Sequence, residues 1–328
     1  MGLLSNLFRA RDKPRDSVSA AMPFFFGTSP AGKASNPRTA IQLSAVYACV
    51  RVLGETIASL PFGVYHITAN GTEKAANHPL YRLIHDEPNH EMTSFSWREA
   101  MMSHLNLWGN SYTQIIRDGY GNVIGLYPLL PENMDVDRHP DTNELMYTYT
   151  TSKGETVVLR ASDVLHIPGL GFDGILGYSP IAMERSAIGL GIAAEEYGSK
   201  FFANGAVPSG ILTSDSQIKN PDRMRKAWSA AYGGSSNGSR VAVLEEGLKY
   251  QQITIPNDAA QFLQTRKFQV DEICRIFRVP PHLIGNLEHA TFSNIEHQSI
   301  DFVVHTVRPW LVRIEQTCNR QLFKPDDK

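Results

Sequence analysis

Phosphate chemistry is the first possibility the residues raise, because two stretches carry glycines at cradle-like spacing. Gly169, Gly171 and Gly174 match G-x-G-x-x-G and follow the apolar run at 163–167. In a dinucleotide fold the helix opens within that turn, so that its N-terminus meets the pyrophosphate, and an acidic residue stands about 20 positions on. Here Pro168 precedes the first glycine, the next helix signal waits until residue 179, and Glu195 and Glu196 fall inside that helix. The stretch therefore reads as a glycine-rich joint between two units. The second candidate, Gly27-Thr-Ser-Pro-Ala-Gly32-Lys33-Ala34, is one residue away from a phosphate loop. Ala34 stands where the Mg²⁺-ligating hydroxyl belongs, Pro30 removes an amide from the cradle, and Asn36-Pro37 blocks the helix that should follow. A nucleotide- or phosphate-binding enzyme using Gly27–Lys33 or Gly169–Gly174 is thus the alternative reading, not the leading one.

The remaining reactive side chains assemble into nothing. His78, His85, His90, His282, His289, His297 and His305 lack the i, i+4 pairing of a helical metal site, and Glu195 and Glu196 are adjacent, so they diverge on a helix. No Ser-His-Asp or Cys-His set can be built from the spacing. The expectation is a protein that is not an enzyme, with no catalytic residue, no metal and no cofactor.

Charge narrows the partners. The 328 residues carry a net charge of −2, with a pI near 6.6. A protein that grips duplex DNA by its phosphates shows a basic patch or a high pI, so either DNA is no partner or the contact is weak. Hydrophobic residues at 42% and charged ones at 20% are ordinary globular values, and the length suffices for two or three units with real cores. No apolar run approaches the ~20 residues that span a bilayer. The N-terminal MGLLSNLFRAR lacks a secretory cleavage pattern, and Asn6 replaces the Ser or Thr of a myristoylation site. Cys49, Cys274 and Cys318 lie far apart and read as buried reduced thiols of a cytoplasmic protein.

Periodicity supplies the elements. Residues 1–40 are a Ser-, Pro-, Gly- and Arg-rich arm. A helix over 44–59 puts Val46, Cys49, Val50, Leu53 and Ile57 on one face. A strand at 62–67, an Asn70-Gly71 hairpin turn and a short helix at 80–85 come next. A further helix is boxed by Ser96 and Glu99 and stopped by Gly109-Asn110. Short strands at 111–117, 122–127, 145–150, 155–160 and 163–167 complete an α+β unit ending near 170. Ser179-Pro180 then opens a helix of about 39 Å that runs to Asn204-Gly205, with Gly189, Gly191, Ala193 and Ala194 permitting close helix approach. An insert at 206–256 holds a strand at 208–213, a helix at 220–232 and strands at 240–244 and 248–255. The helix after it, capped by Asn257 or Asp258, stops at Pro280-Pro281. A polar loop leads to a helix of roughly 45 Å opened by a Ser293–Glu296 capping box. Its apolar positions Ile300, Val304, Val307, Leu311, Ile314 and Cys318 form one stripe, with Pro309 as a kink inside it.

Eight co-linear blocks then carry a resemblance: SAVYACVRVLGETIASLPFGVY, HPLYRLIHDEPN, HLNLWGNSYTQIIRDGYGNVIGLYPL, GYSP, AAEEYGSKFFANGAVPSGIL, RVAVLEEGLKYQQI, DAAQFLQTRKFQVDEICRIFRVPPHLIG and TFSNIEHQSIDFVVHTVRPWLVRIEQTCNRQL. In order and spacing they resemble the portal proteins of long-tailed bacteriophages, over about residues 41–323. The resemblance implies an α+β portal-like subunit with a flexible arm (1–40), a wing (41–176), a first stem helix (177–205), a clip (206–257), a second stem helix (258–281), a tunnel loop (282–293) and a long kinked helix (294–324). The chain stops at PDDK where portals usually continue into a crown, so the crown is expected to be absent.

It also implies a function. Such subunits form a homo-oligomeric ring, typically of twelve, at one capsid vertex of the virion, and assemble in the host cytoplasm without a membrane. Double-stranded DNA is packaged and ejected through the ring, which docks the terminase large subunit and then a head-completion adaptor, meets capsid and scaffold proteins, and nucleates capsid assembly. The implied channel residues are Asn286, Glu288, His289, Thr291 and Phe292 of the tunnel loop, and the implied clip docking residues are Lys219, Arg223, Arg225 and Lys226. One phosphate contact from each of twelve copies would give a salt slope of about −11, a tight grip. Near-neutral composition suits sliding instead.

Overall fold

The computed structural model describes residues 35–69, 71–203, 210–214, 220–232, 248–252, 259–287 and 292–324. The single turn α1 (Pro37–Ala40) is held by a reciprocal cap, in which the Asn36 side chain accepts from the Thr39 amide and Thr39 Oγ1 accepts from the Asn36 amide. Next comes α2 (Ser44–Ser59), with Val46, Cys49, Val50, Leu53 and Ile57 buried on one stripe. The hairpin β1 (Tyr65–Thr68) and β2 (Gly71–Lys74) pairs Thr68 with Gly71, and α3 (Pro79–His85) leads into α4 (Ser94–Trp108). The cap of α4 is Thr93, whose side chain accepts from the Ser96 amide, so the helix starts ahead of the expected Ser96–Glu99 box. Burial decides this: Ser94 and Trp97 are both inside, and the Ser94 hydroxyl donates to the Ile84 carbonyl at 2.5 Å.

Six strands follow. Antiparallel β3 (Asn110–Arg117), β4 (Val123–Leu129) and β8 (Val164–Pro168) form one sheet with β3 in the middle. The second sheet has β6 (Leu145–Thr150) between β5 (Met134–Arg138) and β7 (Thr156–Arg160). Strand β5 was not expected. Only Val136 of its five residues is buried, and its two aspartates mask the strand pattern. The β3 sheet is covered on both faces. Thr113 receives the Trp97 indole N–H at 3.2 Å, and Ile115, Leu165 and Ile167 join the main core under α2 and α4. On the opposite face Tyr112 and Val164 pack with Val136, Tyr147, Leu159 and Leu176 in a second core against the other sheet. The α+β unit is thus three layers: helices, sheet, sheet.

The expected helix from 179 is two pieces. After α5 (Pro180–Met183), Glu184 leaves the helical region, and α6 (Arg185–Ala203) resumes. Residues 204 and 205, the expected stop, lie outside the described ones. Of the insert, β9 (Gly210–Ser214), α7 (Pro221–Tyr232) and β10 (Leu248–Gln252) are described, with β9 and β10 antiparallel; the strand expected at 240–244 is not. The next helix, α8 (Ala259–Phe277), ends short of the double proline, because Arg278 adopts a positive φ of 57° and Pro281–Ile284 form a 3-10 turn. It packs on α2, where the Cys49 and Cys274 thiols meet, and on α6, where Gly191 faces Leu43 and Gln269.

The long helix begins at Phe292, so Ser293 lies inside it and not at its cap: α9 (Phe292–Phe302), a π-helical turn at Val303–Val307, and α10 (Arg308–Gln321). Proline cannot donate to the ladder, and in a regular helix its ring would strike the carbonyl four residues back. The π turn removes both problems, since the Arg308 amide reaches the Val303 carbonyl and Pro309 falls in the first turn of α10. The extra residue shifts the phase. Phe302, Thr306, Val307, Ile314 and Cys318 face inward, whereas Ile300 and Val304, assigned to the buried stripe from sequence, are exposed.

One buried cation ties α4 to α2. Arg98 is 8% exposed and sits 5.6 Å over the Phe62 ring, and its guanidinium donates to the carbonyls of Leu60 (2.6 Å) and Ile57 (3.5 Å). It neutralises the C-terminal dipole of α2, and burial lowers its pKa. Arg98→Met should leave those carbonyls unpaired and lower the unfolding free energy by about 2–3 kcal/mol, read as a lower urea midpoint with an unchanged slope.

Candidate functional site

The glycine-rich stretch is the meeting point of the layers. At the end of α4, Gly109 turns left-handed (φ 77°), and a Cβ on it would overlap the Tyr178 carbonyl. Its own carbonyl accepts from the Gly169 amide at 2.7 Å. Asn110, 5% exposed, grips Gly177 with both ends of its amide: Oδ1 accepts from the Gly177 N–H (2.8 Å) and Nδ2 donates to the Gly177 carbonyl (2.6 Å). That pairing fixes which end is oxygen. The same Oδ1 lies 3.0 Å from His166 Nε2, which must therefore carry the proton, so Nδ1 accepts from the Tyr147 hydroxyl at 3.2 Å. The imidazole is neutral. Burial first, and then Arg320, hold its pKa down to about 3, while burial pushes the Tyr147 phenol up to about 12. Tyr112 stacks on the ring at 4.5 Å.

Around the joint, several amides are used by the protein itself, starting with that of Gly169 on the Gly109 carbonyl. Asp173 Oδ1 accepts from the amides of Ile175 (2.8 Å) and Leu176 (3.0 Å), and the Leu170 carbonyl takes the Tyr178 amide. The helix N-terminus is capped by Ser179, which accepts from the Ala182 amide and donates to the Leu107 carbonyl at 2.6 Å. Arg313 of α10 donates to the carbonyls of Pro168 (2.8 Å) and Gly169 (2.6 Å). The arrangement clamps three segments together. Residues 27–33 lie outside the described ones.

The expected tunnel loop is only partly described. Its first part is the 3-10 turn at Pro281–Ile284, closed by Gly285 at φ 88°. Asn286 Nδ2 donates to Asp271 Oδ1 of α8 at 3.1 Å, and His282 Nδ1 meets Gln298 Oε1 of α9 at 2.9 Å. The Arg278 carbonyl accepts from Thr306 Oγ1 in the π turn at 2.8 Å. The segment is therefore anchored to the helices on either side. Glu288, His289 and Thr291 lie outside the described residues, and Phe292 is the first residue of α9. In the insert, Arg223 and Lys226 are exposed three positions apart on one face of α7, whose first turn is capped by Asn220 accepting from the Arg223 amide at 3.1 Å. Arg225 belongs to the same helix, and Lys219 is outside the described residues.

Sequence reasoning missed Asn110, His166, Tyr147 and Arg313. Asn110 was read only as part of a helix stop. Its partner at 177 and the guanidinium at 313 are distant in sequence, and no local pattern joins them.

The phage portal protein family model matches residues 44–328. The chain is 39% identical over 316 residues to the probable portal protein of Streptomyces phage phiC31, covering 89% of this chain and 66% of that relative. The chain belongs to the phage portal protein family. It spans about two thirds of that relative's length. The fold is shared with a crystal structure of an HK97 family phage portal protein from Corynebacterium diphtheriae, at TM-score 0.65 and 17% identity over 90% of this chain and 93% of that one. It is shared as well with a subunit in the neck of a native gene transfer agent particle computed with C12 symmetry, at TM-score 0.61 and 23% identity over 90% and 83%. That portal family is a structural one, and in this chain the joint, the helical pair and the long helix are features of architecture.

The neutral His166 makes the joint sensitive to acid. Its folded pKa is near 3 against an ordinary 6.5. Above pH 6.5 neither state is protonated and nothing changes. Below it the unfolded chain binds a proton that the folded one refuses, so stability falls as pH drops toward 3. At pH 5 His166 alone should cost about 2 kcal/mol, and His104, held down to about 4 by burial, acts with the same sign. The loss between pH 7 and pH 5, measured by denaturant unfolding, should shrink by about that 2 kcal/mol in His166→Gln.

Proposed function

We propose that this chain is one subunit of a portal ring, a closed assembly of typically twelve copies at one capsid vertex, through which double-stranded DNA enters and leaves the particle. The observation that carries the reading is the family match across residues 44–328. It is supported by the fold shared with a neck computed with C12 symmetry. In this reading residues 41–176 form the wing, α5, α6 and α8 the stem, 206–257 the clip, 282–293 the tunnel loop, and α9 with α10 the long kinked helix. The ring is a passive conduit of the virion, assembled in the host cytoplasm, with ATP chemistry left to the terminase. Arg223 and Lys226, with Lys219 and Arg225, form the docking face for the terminase large subunit and later for a head-completion adaptor. Capsid and scaffold proteins meet the ring as it nucleates the shell. Asn286, Glu288, His289, Thr291 and Phe292 line the channel, and a net charge of −2 keeps DNA from being held.

Negative-stain imaging and light scattering of the purified chain should show rings, and the same preparation should hydrolyse no ATP; a protein that stays monomeric at every concentration would sink the reading. Within an assembled particle, replacing Glu288 and His289 by Lys adds phosphate contacts from each copy. Packaging or ejection should then slow, most severely at low salt, while ring formation is unchanged.

A further inference from the structure

Ring formation requires each copy to offer two different faces, one that gives and one that receives, because a head-to-tail contact pairs unlike surfaces. Two unlike surfaces of matching form are present. The first is a ridge. Across the π turn, Ile300 ahead of it, Val304 within it, and Arg308 and Val312 beyond it recur in steps of four along the exposed side of the long helix. The three apolar members are 55%, 41% and 39% exposed. A row of β-branched side chains in water, with one guanidinium among them, has no role in the core of its own chain, which Phe302, Thr306 and Ile314 already fill.

The second is a groove of about 650 Å³ between α2 and α4. Its walls include Tyr47, Val50 and Glu55 from α2 and Glu99, Ala100 and Ser103 from α4. Glu55 is bridged by Arg51 at 2.7 Å. The Glu99 carboxylate, half-buried against Gly54, makes no ion pair among the described residues, and neither does the exposed Arg308. With Arg51, Glu55 and Glu99 on its walls the groove carries a net charge of −1, and the ridge carries the positive charge of Arg308. Tyr47 to Glu55 spans eight residues, about 12 Å of helix, which matches the Val304–Val312 part of the ridge and leaves Ile300 at the mouth of the groove.

We infer that the ridge Ile300–Val304–Arg308–Val312 of one copy seats in the α2–α4 groove of the next, with Arg308 on Glu99. This rests on the ring reading for its biological setting, but the contact can be tested apart from it. Burying the three apolar side chains against the exposed Tyr47 and against Ala100 supplies the attraction, and the charge pair sets the register along the groove.

The test mixes two singly substituted proteins, Ser103→Cys and Val304→Cys, and treats the mixture with a short bis-maleimide. The three native thiols are buried, so the new ones react selectively. Cross-linked dimers should form in the mixture and not with either protein alone. In parallel, Glu99→Lys or Arg308→Glu should raise the concentration needed for half-assembly about tenfold, and the double exchange should restore it; circular dichroism confirms that each variant is folded. Rings from the parent chain without the mixed cross-link would overturn this inference and leave the ring reading standing. A mixed cross-link without rings would uphold the contact and remove the ring. Neither product would remove both.

Discussion

Asn110 is buried where a helix end, a strand start and a returning loop cross, and the loop arrives with a backbone N–H and C=O that no sheet can pair. A buried peptide group left unpaired costs about as much as a lost hydrogen bond. One side-chain amide answers both groups of Gly177. Once they are held, Ser179 is placed to cap the next helix and to donate to the Leu107 carbonyl, so the direction in which α5 and α6 leave the α+β unit follows from this contact. Arg313 closes the same joint from the far end of the chain. Arg117 and Lys324 add further ties from α10 and its end to the strands, through the carbonyls of Gln321 and Tyr120. The α+β unit, the start of α5 and the last helix thus share one fixed corner.

The electrostatics of that corner explain why it reads as structure and not as chemistry. An active site sets neighbouring titratable groups apart, one held as acid and another as base. Here burial pushes His166, Tyr112 and Tyr147 each toward its neutral form. Tyr147 hydrogen-bonds to His166 and Tyr112 stacks on the same imidazole, so these neighbours sit together as neutral groups. A neutral network of this kind specifies a unique packing, because any partial exchange leaves a polar atom stranded.

What was legible in the sequence was what local physics controls. The apolar period of α2 gave its bounds to the residue, and Gly109 and Pro180 marked a helix end and a helix start because backbone sterics alone decide such positions. The G-x-G-x-x-G spacing of the joint was readable as a break, but not as a clamp, since Asn110, His166 and Arg313 contribute from separate elements. The break at Glu184 has no breaker residue and escaped notice. Strand β5 was hidden by Asp135 and Asp137, which tolerate the exposed side of a half-buried strand. The phase of the last helix was misread for a different reason: a regular 3.6-residue period was carried across Pro309, while the chain accommodates that proline by inserting a residue ahead of it. Of the residues assigned to a channel or a docking face, Arg223, Lys226 and Asn286 have a described environment, and only assembly gives them a task.

The wide turn at Val303–Val307 divides the last long helix into two rods of different phase. Each side of that turn has its own attachment. α10 is bolted to the strands by Arg313 and Arg117, while α9 is joined through Gln298 to the His282 turn before it, so the two halves of one helix belong to different neighbourhoods of the chain.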